Sequence, residues 1–246
     1  MERARLTRYG LLSVTGGDAR AFLHAQLTND ILHLTPERAA LAGWCTAKGR
    51  LLATFLVIPA PQGFLLQLAR DIAPSVAQRL SMFILRLKVK IADESNAWTQ
   101  DGVWGTDWNK TGVTWEKSGE NGSATIEVEK GRYLQLSHSP IGEPTAPESA
   151  WTLLEIHAGR PFISGATQDQ FVPQMVNLEK LGGVDFQKGC YPGQEIVARA
   201  QYRGQVKRRM VQLHAPAGVE LRPGQEFNGG TVVDSAGGEL LAVMPV

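Results

Sequence analysis

Residues 188–195 have the sequence Lys-Gly-Cys-Tyr-Pro-Gly-Gln-Glu, and the thiol in this stretch is the chain's most promising chemical group. Two glycines and a proline restrict the backbone to an unusual loop, and residues 194–200 are predicted to begin a helix. A thiol just before a helix N-terminus faces the positive end of the helix dipole, and Lys188 and Arg199 would add positive charge. Cys190 is therefore predicted to be a nucleophile, a redox sensor or a metal ligand. The structural alternative is a small buried hydrophobe in a tight turn.

Composition and charge exclude several classes of protein. The chain has 246 residues, and 25 Lys and Arg against 24 Asp and Glu give a formal net charge of +1. This balance argues against a surface built entirely for nucleic acid. No apolar run follows the first charged residues, so no secretory signal is expected, and the longest mostly apolar run, 51–58, is too short to cross a bilayer. We expect a soluble, cytoplasmic protein without a membrane partner.

The cysteine count limits the metal chemistry of the chain. Cys45 and Cys190 are the only two cysteines, and two thiols cannot supply the four ligands of a conventional iron–sulfur cluster or an all-cysteine zinc site. No histidine lies at a metal-ligand spacing from another histidine or from a cysteine. The sequence therefore predicts no metal site, and any cluster would need ligands from another protein.

The first 91 residues alternate between strand-like and helix-like patterns. The predicted elements are strands at 10–14, 51–58, 64–68 and 85–91, and helices at 18–27 and 71–83. The turn at 59–63 contains two prolines and a glycine, which predicts a hairpin between the second and third strands. The order strand, strand, helix, strand indicates an α+β fold and not a doubly wound parallel sheet.

The second half is less uniform. Residues 95–122 are weakly patterned, 123–137 predict a hairpin that turns at Lys130-Gly131, and 140–148 a linker before a helix at 149–158. Strands at 206–213, 226–227, 231–233 and 240–244 predict a small antiparallel barrel or sandwich. Because the chain ends soon after the last of these strands, we expect this part to be either truncated or naturally minimal.

Further short motifs occur before the cysteine loop and near the N-terminus. Residues 171–186 precede the loop, and 26–30 (Gln-Leu-Thr-Asn-Asp) and 48–50 (Lys-Gly-Arg) lie near the N-terminus. Together they closely resemble the YgfZ family of folate-binding proteins, whose signature is K-G-C-[FY]-x-G-Q-E. The family is related to the T-protein of the glycine cleavage system, an aminomethyltransferase.

The resemblance implies a three-lobed α+β fold around a central folate pocket. The first lobe would comprise 1–45 with 140–203 and include the cysteine loop, the second 46–139, and the C-terminal β lobe 204–246. The implied cofactor is tetrahydrofolate or a derivative. The residues expected to contact it are Asn29, Asp30, Lys48, Arg50, His157, Gln194 and Arg199.

The resemblance also implies a role in assembling or repairing iron–sulfur clusters, with an indirect effect on tRNA modification. The expected partners are iron–sulfur client or assembly proteins. Cys190 would be the reactive thiol, Lys188 would favour its thiolate form, and Glu195 would position the loop or cap the following helix.

Two departures from the T-protein make aminomethyltransferase activity doubtful. The T-protein has a catalytic aspartate on the strand that here contains Ala53 and Thr54, and no carboxylate occurs anywhere in 48–69. The usual acid/base group is therefore missing. A T-protein glutamate that contacts the pterin corresponds here to His157, which cannot form the same bidentate contact.

Three alternatives stay open. Cys190 would be the nucleophile of a folate-dependent one-carbon transferase, aminomethyl or formyl, which would make the protein an enzyme. The basic run 199–209 would bind tRNA phosphates, although a solvated strand face is the commoner role for such a run. Trp98, Trp104, Trp108 and Trp115 would stack on a pterin or form a small hydrophobic cluster.

Overall fold

Within residues 1–106, 108, 110–116, 122–204 and 206–246, which the computed structural model describes, the chain forms fourteen β-strands and four α-helices. The strands are β1 (Glu2–Arg5), β2 (Tyr9–Thr15), β3 (Ala40–Cys45), β4 (Leu51–Ala60), β5 (Gly63–Ala69), β6 (Lys90–Asp93), β7 (Thr99–Trp104), β8 (Val113–Glu116), β9 (Ser123–Glu129), β10 (Arg132–Ser137), β11 (Arg208–His214), β12 (Glu226–Phe227), β13 (Gly230–Ala236) and β14 (Glu239–Pro245). The helices are α1 (Ala19–Gln26), α2 (Ala73–Ser81), α3 (Glu148–His157) and α4 (Gln194–Tyr202).

The chain divides into two units. Unit 1 comprises Met1–Phe22, His33–Ala40 and Leu56–Trp151, and unit 2 comprises Leu23–Leu32, Leu41–Phe55 and Thr152–Val246. This division differs from the three lobes expected from the resemblance, whose boundaries stay a prediction.

One sheet of unit 1 is antiparallel, with strand order β1-β7-β10-β9-β8. The predicted hairpin at 123–137 is confirmed, because β9 and β10 pair around a turn in which Gly131 has φ 76°. The buried Asp101 on β7 accepts hydrogen bonds from Arg3 at 3.2 Å and from Arg5 at 2.5 Å. Such pairing offsets the cost of burying the charges.

In the second sheet of unit 1, the 56–60 part of β4 pairs with β5, β5 with β2, and β2 with β6, all antiparallel. The predicted hairpin between β4 and β5 is confirmed, since Ala60 pairs with Gly63 across a two-residue turn. A Cβ at Gly63 would lie 2.2 Å from the carbonyl oxygen of Val14, so this position requires glycine.

The predicted strand at 85–91 is wrong over most of its length. The strand begins only at Lys90, and the preceding segment forms turns in which Leu85 has φ 48° and is 89% exposed. Apolar alternation at 85–91 therefore reflects exposed loop residues and not one buried face. The helix predicted at 71–83 consists of a 3-10 turn, Arg70–Ile72, followed by α2.

The weak pattern at 95–122 hides two strands, β7 and β8. The pattern is weak because β7 buries Gln100 and Asp101, polar side chains that are satisfied by partners on other strands. Residues 107, 109 and 117–121 of this segment lie outside the described residues.

Unit 2 has a large apolar core and a second, smaller apolar cluster in its C-terminal sheet. Residues from β3, β4, α3, α4 and the C-terminal strands contribute to the large core, including Cys45, Leu51, Ile156, Val197 and Val233. Strands β11 to β14 form a four-stranded antiparallel sheet in the order β11-β14-β13-β12. The predicted C-terminal strands are confirmed within a few residues, and closure into a barrel stays a prediction.

Helices with antiparallel sheets in both units confirm the α+β class. No helix in the described part of the chain is long and apolar enough to cross a membrane.

Candidate functional site

The cysteine loop enters α4 through a glycine that no other residue could replace without strain. Gly193 is the N-cap residue of α4 and has φ 79°, in the left-handed region. A Cβ there would lie 2.4 Å from the carbonyl oxygen of Thr46 and 2.6 Å from the Cα of Gly49. Both the backbone conformation and the close approach therefore require glycine.

The same close approach joins two segments that the sequence places about 145 residues apart, the 46–50 turn and the cysteine loop. The turn is closed by hydrogen bonds from the Gly49 N–H to the Thr46 carbonyl oxygen at 2.8 Å and from the Thr46 N–H to the Arg50 carbonyl oxygen at 2.8 Å. A Cβ at Gly49 would lie 3.0 Å from the Ile196 Cβ, in the first turn of α4. The backbone of the 46–50 turn, at Thr46 and Gly49, therefore packs directly against the end of the cysteine loop and the first turn of α4.

Lys188 is a buried cation at the base of the loop. Its side chain is directed inward, where Nζ donates to the carbonyl oxygens of Leu27, at 2.6 Å, and His24, and Nζ lies 4.8 Å from the ring centroid of Tyr191. Burial lowers the pKa of Lys188 to about 8, against the opposing effect of negative charges on Asp30, Asp185 and Cys190. Lys188 is thus an ammonium that loses its proton unusually easily.

A second set of hydrogen bonds holds the chain just before the loop. The Asp185 carboxylate accepts from the backbone N–H groups of Gln187 at 2.7 Å and Lys188 at 3.2 Å. The hydroxyl of Thr28 donates to the Gly183 carbonyl oxygen at 2.6 Å and accepts from the Gly43 N–H at 2.7 Å. These bonds join the loop to the end of α1 and to β3.

Cys190 is a free, exposed thiol. Its neighbour Gly189 lies beside the imidazole of His24, since a Cβ on Gly189 would be 3.8 Å from Nε2. The other ring nitrogen, Nδ1, lies 3.1 Å from Asp30 Oδ1. The loop therefore has a carboxylate-paired imidazole next to the thiol-bearing segment, in addition to Lys188.

His24 was missed by the sequence reasoning. His24 lies on α1, and it comes close to the loop only in the folded protein, because its carbonyl oxygen accepts from Lys188, 164 residues further along the chain. The sequence did contain a signal for this role, because His24 is a polar residue in a helix whose buried positions, Ala19, Phe22 and Leu23, are apolar.

The second cysteine, Cys45, is buried and protonated. Cys45 is free but buried in the core of unit 2, and this burial raises the pKa of its thiol to about 12. At neutral pH it is therefore a thiol and not a thiolate.

Asn29 and Asp30 form the turn after α1. The amide of Asn29 donates to the carbonyl oxygens of Leu41 at 2.7 Å and Gly182 at 2.8 Å, and Asp30 accepts from the Leu32 N–H at 2.9 Å. These contacts match the turn alternative, and a folate contact for the two residues stays a prediction.

Among the residues of α4 and the 46–50 turn that were predicted to belong to the site, some side chains form hydrogen bonds and others are exposed. Gln194 donates to the Lys188 carbonyl oxygen at 3.5 Å, and Arg50 donates to the Gln170 carbonyl oxygen. Lys48, Glu195 and Arg199 are exposed, and no partner is found for their side chains in the described ranges. Glu195 is the acidic residue in the first turn of α4, whose N-cap residue Gly193 makes no side-chain cap, and the role expected of Glu195 stays a prediction.

His157, at the end of α3, is paired with a carboxylate at the start of β14. Its Nε2 lies 3.0 Å from Glu239 Oε1, and this contact, with a hydrogen bond from Gln212, lowers the pKa of Glu239. The position expected to hold the T-protein aspartate is also structural here, because the Thr54 hydroxyl donates to the Pro161 carbonyl oxygen at 3.1 Å.

The basic run divides into internal and exposed cations. Arg209 binds the carboxylate of Glu179 and the Gln174 carbonyl oxygen, and Arg208 donates to the Gly229 carbonyl oxygen at 2.7 Å. Arg199, Arg203 and Lys207 are exposed. Across the described part of the chain, no three His, Cys, Asp or Glu side chains form a group that could hold a metal ion.

Comparison with known proteins places the chain in a family. No family model matches the sequence. A Haemophilus influenzae protein described as uncharacterized is 33% identical over 227 residues, covering 90% of this chain and 76% of that protein. A tRNA-modifying protein YgfZ from Serratia proteamaculans is 30% identical over 261 aligned positions, covering 94% of this chain and 79% of that protein. The chain belongs to the YgfZ family.

Other matches agree. The tRNA-modifying protein YgfZ of Edwardsiella ictaluri is 29% identical over 260 aligned positions, covering 93% of this YgfZ-family chain and 78% of that protein. Among solved structures, the glycine cleavage system aminomethyltransferase T from Bartonella henselae superposes with a TM-score of 0.73 over 99% of this chain and 78% of its own. At 13% identity this likeness shows a shared fold and nothing more. The family resemblance and the T-protein-like fold predicted from the sequence are confirmed.

Proposed function

We propose that this YgfZ-family protein is a folate-binding accessory protein for tRNA modification, with the Cys190 thiol as its chemical group. The observation that supports this most is the setting of Cys190. It is an exposed thiol in a loop whose backbone is fixed by Gly193 and whose base holds the buried ammonium of Lys188. The family's printed name supplies the connection to tRNA modification.

The surroundings of Cys190 place an accessible sulfur near positive charge. The ammonium of Lys188 and the charge on Cys190 attract each other, and α4 begins only four residues further on. Positive charge near a thiol and a helix N-terminus both stabilise the thiolate. A fixed backbone also keeps the sulfur accessible, because it holds the loop at the surface.

An accessory role for iron–sulfur enzymes fits the number of usable thiols. Cys45 is buried and protonated, so this chain offers one accessible thiol, and a single sulfur ligand can hold iron only transiently. Cys190 would therefore act on a cluster held by a client enzyme that modifies tRNA. Its step would be to ligate an iron ion through sulfur while the client is assembled or repaired.

Two exposed cations fit a folate. The 46–50 turn that contains Lys48 contacts the first turn of α4, the helix that contains Arg199. Lysine and arginine are suitable partners for the glutamate carboxylates of a folate. His157 can offer a pterin only a single hydrogen bond from each ring nitrogen, and one of these already faces Glu239. A bound tetrahydrofolate would supply a one-carbon carrier, and this chain's residues would bind and orient its tail.

Calorimetric titration with tetrahydrofolate tests the folate part of the proposal. We expect binding that weakens at least about thirtyfold in a Lys48→Ala/Arg199→Ala double variant, since two charged contacts worth roughly 1 kcal/mol or more each are lost. Lys130→Ala is the matched control, because Lys130 is an exposed cation in the β9–β10 turn of unit 1. Absence of binding, or equal binding by the double variant, would contradict this part.

The same samples separate an accessory protein from an enzyme. A one-carbon transferase would consume methylene- or formyl-tetrahydrofolate catalytically, and Cys190→Ala would stop it. An accessory protein binds these folates without turnover, which is the result we expect, because 48–69 contains no carboxylate.

Direct tRNA binding is a second candidate, favoured by the exposed cations Arg199, Arg203 and Lys207. It predicts an affinity for tRNA that falls steeply with salt and that is lost when the three are replaced by alanine. Replacing Arg208 and Arg209, which are held by contacts within the protein, would then have little effect on the salt dependence.

A further inference from the structure

A separate pocket lies in unit 1, outside the cysteine loop and its contacts. Its volume is about 410 Å³. It is bordered by the turn between β4 and β5, by β8, and by the 94–98 segment that follows β6. Its proposed use does not depend on the function of the cysteine loop.

Two indole rings form perpendicular walls of this pocket. Trp98 and Trp115 have ring centroids 6.3 Å apart and planes inclined at 82°. The indole N–H of Trp115 is already bonded to the carbonyl oxygen of Pro59 at 2.9 Å. Trp115 therefore presents its π surface, and not a hydrogen-bond donor, to a ligand.

One face of Trp98 contacts a histidine ring. His138 packs against Trp98 with ring centroids 3.9 Å apart and ring planes tilted by 38°, and its Nδ1 lies 3.0 Å from the Ala97 carbonyl oxygen. This contact covers part of one face of the Trp98 ring. A planar ligand cannot be enclosed between parallel rings here, because the two tryptophans are perpendicular.

The charged side chains that line the pocket are carboxylates. They are Glu94 and Glu116, and no Lys or Arg is found among the described lining residues. Glu116 pairs with Lys110 at 2.6 Å. Glu94 accepts only the Ser13 hydroxyl at 3.2 Å and has no cationic partner in the part of the chain that the structure describes. A carboxylate with no cationic partner among the described residues, at an apolar pocket, favours a positively charged ligand and disfavours an anion.

We propose that this pocket binds a small quaternary ammonium ion of the choline type. A quaternary cation lacks N–H donors, so it needs π faces and a nearby negative charge and no hydrogen-bond acceptor. Perpendicular aromatic rings contact two sides of such a rounded group, and Glu94 supplies the charge.

Choline and its neutral carbon isostere, 3,3-dimethylbutan-1-ol, test the proposal directly. They match in shape and differ in charge, so calorimetric titration of the full chain with each one isolates the cation–π and carboxylate contributions. We expect saturable choline binding and about tenfold weaker binding of the isostere, in line with cation–π contacts in partly desolvated sites.

Variants then locate the site. Trp98→Leu and Trp115→Leu should each weaken choline binding at least several-fold. Glu94→Gln should weaken choline binding without altering binding of the isostere. Because Glu94 is partly exposed, this variant should fold, and it tests the proposal even if a tryptophan variant unfolds. Glu143→Gln is the control, since it removes the same charge from an exposed site outside the pocket.

Three results would overturn the proposal. They are no saturable binding at millimolar choline, equal affinity for choline and the isostere, and choline binding that Glu94→Gln and the folded tryptophan variants leave unchanged.

Discussion

Cys45 and Cys190 are the same side chain in opposite surroundings. Cys45 ends β3 inside the core of unit 2, where burial raises its thiol pKa to about 12. Cys190 lies exposed on a loop anchored by Gly193, with the Lys188 ammonium at its base and the His24 imidazole beside it. Reactivity in this protein is therefore set by what packs around each thiol and not by the presence of a thiol.

The largest expected consequence is a difference in alkylation rate. With iodoacetamide near neutral pH, Cys190 should react at least about a hundredfold faster than Cys45, because only the thiolate reacts and burial keeps Cys45 protonated and covered. Peptide mass spectrometry after a time course measures both rates.

Denaturant provides the control for that rate difference. In urea the two thiols should react at similar rates, since the surroundings are lost. Comparable rates in the native protein would mean that the surroundings do not distinguish the two cysteines.

Gly193→Ala should break the fixed backbone on which the Cys190 setting depends. The added Cβ would lie 2.4 Å from a carbonyl oxygen, at a φ of 79°, and we expect a loss of about 3 kcal/mol in the free energy of unfolding. Urea denaturation measures the loss.

Gly182→Ala is the matched variant for Gly193→Ala. Gly182 has φ 73°, but a Cβ there would meet no atom within 4 Å. Gly182→Ala should lower the free energy of unfolding by only about 1 kcal/mol, because a residue with a Cβ is strained in the left-handed backbone conformation. Equal losses in the two variants would show that the contact with the 46–50 turn contributes nothing.

Lys188→Met should change how stability depends on pH. The folded-state pKa of Lys188 is about 8, below its usual 10.5. Between these values the unfolded chain holds the proton and the folded chain does not, so stability rises with pH across this window and the gain is lost as pH falls through 8. The free energy of unfolding of the native protein minus that of Lys188→Met should therefore increase from pH 8 to pH 10.5. A flat difference in urea titrations would contradict the lowered pKa.

His24→Gln should have the smallest effect. Glutamine retains hydrogen-bonding capacity but does not take up a proton near neutral pH. We expect a few-fold fall in the alkylation rate of Cys190, a flatter pH profile for that rate and no change for Cys45. An unchanged Cys190 profile would assign His24 a purely structural role.

Local sequence was sufficient for some of these features. The Lys-Gly-Cys loop, the hairpins at 59–63 and 130–131 and the C-terminal strands follow from glycine, proline and apolar periodicity within a few residues. Their geometry is determined locally, and the structure has them where the sequence indicates.

Other features depend on contacts between distant residues. The side chain of Lys188 bonds to carbonyl groups near residue 25, and β7 buries Asp101 only because Arg3 and Arg5 pair with it. Neither partner is visible in a short window of sequence. The 85–91 error has the same cause, since alternation alone cannot tell a buried face from the exposed turn around Leu85.

The central claim is that Cys190 is the working thiol of a protein that supports tRNA modification. The most direct test is mass spectrometry of modified nucleosides in total tRNA from a bacterial strain that lacks its own YgfZ-family gene and expresses wild type, Cys45→Ala or Cys190→Ala at matched levels. We predict that wild type and Cys45→Ala restore the modifications and that Cys190→Ala, although folded, does not. Full restoration by Cys190→Ala would contradict the claim.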